Sequence, residues 1–226
     1  MAIGIDTNVL TAAARPENAE RAGFAPDERT ASNFKFDNVS QGDVSLRATR
    51  RQLAQSVVRA KRREPAMSRA ELAGKATLLR NQFSGPAYNA AAAAREVPDT
   101  DDPALLARAK QATAFAQDYG RGGATGNPFK KLSDHQLTLV MYDDSGSYTT
   151  NERRAAWLEQ YDRYEAWSKK VVAAAQAEYR ATGRNDEFFQ ACIDYYNALP
   201  PIEQAQYPAD YVARRQYWIE NNKSFF

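Results

Sequence analysis

From Leu46 to the C-terminus, apolar residues recur at steps of three and four, the period of an α-helix, and nowhere do they alternate over the length of a strand. Ser45 is placed to cap a first helix through Leu46, Leu53 and Val57 to about Arg63, stopped by Pro65. Ser68 and Glu71 spell a capping box for a second, through Leu72, Leu78, Leu79 and Phe83, closed by Ser84-Gly85-Pro86. A short Ala-rich helix is expected over 88–95, and Asp102-Pro103 opens another that runs to Tyr119. Ser133 caps a helix with Leu137, Val140 and Met141. The longest runs from about Thr150 to Thr182, with Trp157, Tyr161, Tyr164, Val171, Ala175 and Tyr179 on one face, and Gly183 ends it. Asn185 is the expected cap of a helix carrying Phe188, Phe189, Cys192, Ile193, Tyr196 and Leu199. Pro200-Pro201 stops it, and a last helix after Pro208 presents Tyr211, Val212, Trp218 and Ile219.

Composition strengthens the helical reading. The 226 residues include 41 Ala but only 15 Val plus Ile, so the fold class is all-α, an irregular multi-helix bundle. Leu, Ile, Val and Phe together number only 38, a proportion that by itself raises disorder, yet the 25 aromatics argue for a packed core. Seventeen of those aromatics lie in 132–226, where the main core is expected. Residues 1–25 have no sustained period and read as a disordered, mobile N-terminal arm. Residues 26–119 form a basic Ala-rich helical region. Four glycines within Gly120–Gly126 mark 120–131 as a linker, and because they follow a helix rather than a strand they do not spell a phosphate loop.

The net charge of +2 is a cancellation: residues 46–131 carry +9, whereas 1–45 carry −3 and 132–226 carry −4. The excess is concentrated in Arg47, Arg50, Arg51, Arg59, Lys61, Arg62 and Arg63, with no acid before Glu64. This helix is a candidate surface for phosphates, anionic lipid or an acidic protein partner; its bland reading is a solvated outer face that also meets the acidic C-terminal region. No recognition helix, zinc finger or interleaved aromatic platform argues for nucleic acid.

One Cys and one His exclude an intramolecular disulfide and a Cys/His zinc cluster, so any metal site must use oxygen ligands. Residues 141–152, between two helices, contain Asp143, Ser145, Gly146, Ser147, Tyr148, Thr149 and Glu152. They resemble the EF-hand calcium loop, in which oxygens at positions 1, 3, 5, 7, 9 and 12 surround a glycine at position 6. Position 1 is here Met141, a poor ligand for a hard cation. A second partial copy, 37–48, has Asp37 at position 1, Gly42 at 6, Val44 at 8 and Ser45 at 9, with Val39 at 3 and Ala48 at 12. The resemblance implies Asp143, Ser145, Ser147, Thr149 and Glu152 as ligands of a weakly held Ca²⁺; Val44 and Tyr148 side by side in a short antiparallel pairing would support it, and their separation would count against it. The competing reading of the same letters is a polar turn at Asp143–Gly146 followed by a capping box from Thr149 to Glu152.

Enzymatic signals are sparse. Asp134 and His135 are adjacent and so point about 100° apart on a helix, and Cys192 falls among Phe188, Phe189 and Tyr196 as an inert core thiol. No catalytic residue is assigned, although Asp143, Asp144, Glu152 and Glu159 keep a carboxylate-dependent hydrolase open. No stretch approaches the roughly 18 apolar residues of a membrane span, and residues 1–10 lack a signal-peptide pattern. The expectation is a non-enzymatic interaction or regulatory protein of the cytoplasm, with no cofactor unless Ca²⁺. The alternative is a bacterial effector-type protein exported by a leaderless route.

Overall fold

A computed structural model describes residues 44–224, with side-chain surroundings from Arg47 onward. The expected arm over 1–25 and the first part of the Asp37 loop lie outside these residues, as do Phe225 and Phe226. Among the described residues the elements are helical and there is no strand, as the Ala-rich, β-branch-poor composition implies. They are α1 (Val44–Arg63), a 3₁₀ turn (Glu64–Ala66), α2 (Arg69–Phe83), α3 (Ala90–Ala93), α4 (Pro103–Asp118), α5 (Asp134–Met141), α6 (Thr150–Thr182), α7 (Asp186–Ala198), α8 (Pro201–Gln204) and α9 (Tyr211–Glu220). No described helix is long and apolar enough to cross a membrane.

Most helix starts are where the capping chemistry puts them. The Ser68 hydroxyl accepts from Glu71 N while Glu71 accepts from Ser68 N, satisfying two backbone donors that the first turn leaves without partners. Ser133 and Gln136 make the same reciprocal pair at α5, and Asp102 accepts from Ala104 N at α4. Three starts differ. α1 begins at Val44, so Ser45 lies inside the helix rather than capping it. Asn185 makes no side-chain cap to α7; it is buried, and its Nδ2 donates to Ala175 O at 2.7 Å. Pro201, expected only to stop a helix, occupies the first turn of α8, where its missing N–H has no intrahelical acceptor to lose.

The described chain forms two compact units, 44–160 and 161–224, and α6 begins in one and ends in the other. In the second unit Tyr164, Trp167, Val171 and Ala175 of α6 bury against Phe188, Phe189 and Cys192 of α7, with Leu199, Tyr207 and Tyr211 completing the core. Ring pairs with centroids 4.9–6.4 Å apart link Tyr164 to Trp167, Trp167 to Tyr195, and Tyr207 to Tyr211. In the first unit Leu53, Phe83, Phe129, Leu137, Val140, Met141 and Tyr142 are fully buried. Ala48, Ala60, Ala76, Ala112, Ala155 and Ala156 are buried among them, where the small side chain permits close approach of helices.

The Gly-rich segment 120–131 lies within the first unit and makes specific contacts. Thr125 Oγ1 donates to Asp118 Oδ2 at 2.6 Å and Asn127 Nδ2 to Ala155 O at 2.8 Å, and Phe129 is 1 % exposed. A Cβ on Gly123 would stand 2.4 Å from Asp118 Cβ, so the loop needs glycine there for close approach.

Candidate functional site

The residues singled out by the calcium-loop resemblance fall on the connection between α5 and α6. Thr149 caps α6: its backbone N donates to Glu152 Oε2 at 2.8 Å, and Glu152 N donates to Thr149 Oγ1 at 3.2 Å. The other Glu152 oxygen accepts from Arg108 Nε at 2.8 Å, with Nη2 ion-paired at 2.7 Å, inside the unit, where Glu152 is 0 % and Arg108 6 % exposed. Arg108 Nη1 donates to Thr49 Oγ1 at 3.0 Å and Nη2 to Gln52 Oε1 at 2.6 Å. Its guanidinium carbon lies over the rings of Phe129 and Tyr148, 5.3 and 5.2 Å from their centroids. A charge this deep persists only when paired and hydrogen-bonded, and Arg108 is both.

Asp143 is the second centre. Its Oδ1 accepts from Ser145 N at 2.9 Å and from Ser145 Oγ, and its Oδ2 from Ser56 Oγ at 2.5 Å and from Arg59 Nε at 3.1 Å. Burial pushes the Asp143 carboxyl up, but the hydrogen bonds from Ser145, Ser56 and Arg59 outweigh it and hold the group below the ordinary aspartate value. At Asp144, burial is likewise outweighed by the Lys75 ammonium, which pairs with its Oδ2. Burial pushes the Tyr148 phenol up to about 12, so it stays protonated. Gly146, at φ +82°, supplies the left-handed residue of the turn.

The backbone of the same connection is held by arginines. Arg63 Nη1 donates to Tyr142 O at 2.8 Å and Arg153 Nε to Met141 O at 3.0 Å, satisfying carbonyls at the C-terminal end of α5. Arg153 also donates to Leu79 O, and Arg154 to Phe83 O, at the end of α2. Gln52 Nε2 takes the Ser147 carbonyl at 2.7 Å, the oxygen assigned to a cation in the calcium-loop reading.

The expected ligands therefore divide into an Asp143–Ser145–Ser147 group and a Thr149–Glu152 group, and all four oxygens of the two carboxylates accept from protein donors. Among the described residues no cluster of three or more His, Cys, Asp or Glu is arranged to hold a metal ion. The Val44–Tyr148 pairing is not formed: Val44 is the first residue of α1, Tyr148 lies in the bend before α6, and neither has strand geometry. His135 is exposed in the first turn of α5, and Cys192 is buried.

The seven basic residues of α1 separate by face. Arg59 and Arg63 turn inward to the connection. Arg47, Arg50, Arg51, Lys61 and Arg62 are exposed, and Val58, 49 % exposed, lies among them. At 3.6 residues per turn these five cations fall within an arc of about 120°, extending about 22 Å along the axis. α1 contains no acid; Arg51, 75 % exposed, reaches Asp102 at 3.4 Å at the edge of the arc.

Sequence reading missed Arg108, Gln52 and Ser56. Each carries a legible signal, a polar residue on an apolar helical stripe: Arg108 among Leu105, Ala109 and Ala112, and Gln52 and Ser56 among Ala48, Leu53 and Ala60. Comparison with protein-family models, with curated proteins and with solved structures gives no match.

Proposed function

We propose that this is a non-enzymatic helical interaction protein that recognises an acidic protein partner through the outward face of α1. The carrying observation is the division of the basic helix: Arg59 and Arg63 hold the α5–α6 connection, while Arg50, Lys61 and Arg62 stand exposed on the outward face of a helix that contains no acid. Carboxylates and cations that hold the fold do not bind a partner, whereas exposed guanidinium groups are suited to bidentate capture of carboxylates. The protein donors that already occupy the oxygens of Asp143 and Glu152 support a structural role for the loop. A cytoplasmic setting fits the single buried thiol.

The test is fluorescence anisotropy of labelled poly-glutamate with the full chain and with Arg50→Glu/Lys61→Glu/Arg62→Glu, circular dichroism confirming the fold. The triple variant is expected to bind about tenfold more weakly or worse, and wild-type binding to weaken as salt rises through physiological ionic strength. Equal binding by the two proteins, or binding indifferent to salt, refutes the reading.

A further inference from the structure

The outward face of α1 has internal order beyond its charge. Ala54 and Val58, four residues apart, form a short apolar strip near its midline. Arg50 and Lys61 border the strip on one side and Arg51 and Arg62 on the other. Each bordering pair is separated by 11 residues, three turns, or about 16 Å along the axis. An apolar strip flanked on both sides by like charges is the layout of one half of a helix–helix seam, in which flanking charges choose the partner and its register.

Resting on the proposed recognition of an acidic partner, we infer that the partner element is an amphipathic α-helix lying along α1, with small or aliphatic residues against Ala54 and Val58 and rows of Glu or Asp against the two cation rows. The cation rows drift by only about 20° over 11 residues, so a straight rod with the same rise per residue meets both. A partner strand finds no template here, because the backbone donors and acceptors of α1 are used within the helix. An anionic membrane would be met by cations, but Ala54 and Val58 are too short to insert among acyl chains. Duplex DNA would meet the same cations without using the strip.

The test uses the full chain and four probes: a synthetic helix with a Leu/Ala stripe bordered by Glu on both sides, the same composition with the stripe scrambled, phosphatidylserine-containing vesicles, and duplex DNA. Striped helix is expected to bind about tenfold more tightly than scrambled. Val58→Asn should weaken the striped helix about fivefold while leaving poly-glutamate binding unchanged. Equal binding of striped and scrambled helices, or no effect of Val58→Asn, overturns the helical partner and leaves the acidic-partner reading standing. Loss of no affinity for poly-glutamate in the triple charge reversal overturns the underlying reading instead. Vesicles or DNA binding more tightly than the striped helix also overturns the inference.

Discussion

Replacing Arg108 by Met removes the guanidinium from a carboxylate that has no solvent around it. Glu152 is 0 % exposed and would keep its two bonds from Thr149, N at 2.8 Å and Oγ1 at 3.1 Å, together with the positive end of α6. It would lose both guanidinium contacts, while Thr49 and Gln52 would lose a donor. Breaking a buried pair by removing one partner costs about 3–5 kcal/mol, and the remaining cap at Thr149 places the expectation near the lower end, about 3 kcal/mol. Met occupies much of the same volume beside Phe129 and Tyr148, so the loss reports on charge more than on a cavity. The measurement is urea unfolding followed by circular dichroism and by the fluorescence of Trp157, which belongs to the same unit; the midpoint of thermal unfolding should fall by about 10 °C. Glu152→Gln keeps a side chain able to cap α6 but strands the guanidinium, and is expected to be destabilising as well. The double variant should be less destabilised than the sum of the singles by about 2 kcal/mol or more, because each change removes the penalty the other creates. A loss below about 1 kcal/mol for Arg108→Met, or strict additivity in the cycle, would show that the pair is not the buried, coupled unit its geometry describes.

Asp143→Asn should cost about 1.5–3 kcal/mol by removing the charged acceptor of Ser56 and Arg59, read from urea midpoints. Because the folded-state value of Asp143 is depressed, its contribution is fully present above the unfolded aspartate value and is lost as pH falls through the folded one. Wild-type stability should therefore drop below about pH 4, and the variant should lose that part of the slope; an identical pH profile would count against the assignment. Calcium added to about millimolar concentration is expected to give no binding heat with wild type or Glu152→Gln, since protein donors already occupy the carboxylate oxygens. Saturable binding abolished by Glu152→Gln would reinstate the calcium loop.

The fold class was legible because helix formation is largely local. Capping boxes at Ser68 and Ser133, the Asp102-Pro103 start and the Gly183 end are satisfied within a few residues of where they are written, and the three- and four-residue spacing marks the stripe each helix buries. The misjudged positions have partners elsewhere. Asn185 was read as a cap, but its amide reaches Ala175 O ten residues back. Leu78, on the expected apolar face of α2, is 63 % exposed, because the face that packs is set by the neighbouring helices. The glycine cluster at 120–126 has the composition of a linker, yet bonds from Thr125 to Asp118 and from Asn127 to Ala155 O fix the loop and deliver Phe129 beside Arg108.

Helical structure, the ends of most helices and the run of seven cations without an acid in α1 follow from local sequence, since propensity, capping and charge act over one or two turns. Tertiary structure alone decided which of those cations face outward. Asp143, 84 residues after Arg59, and Tyr142, 79 residues after Arg63, draw two arginines into the first unit. Arg108 is likewise chosen for burial by Glu152, 44 residues away. Burying a charge is tolerable only beside a particular partner at hydrogen-bond distance, and that proximity is a property of packing over long sequence separations.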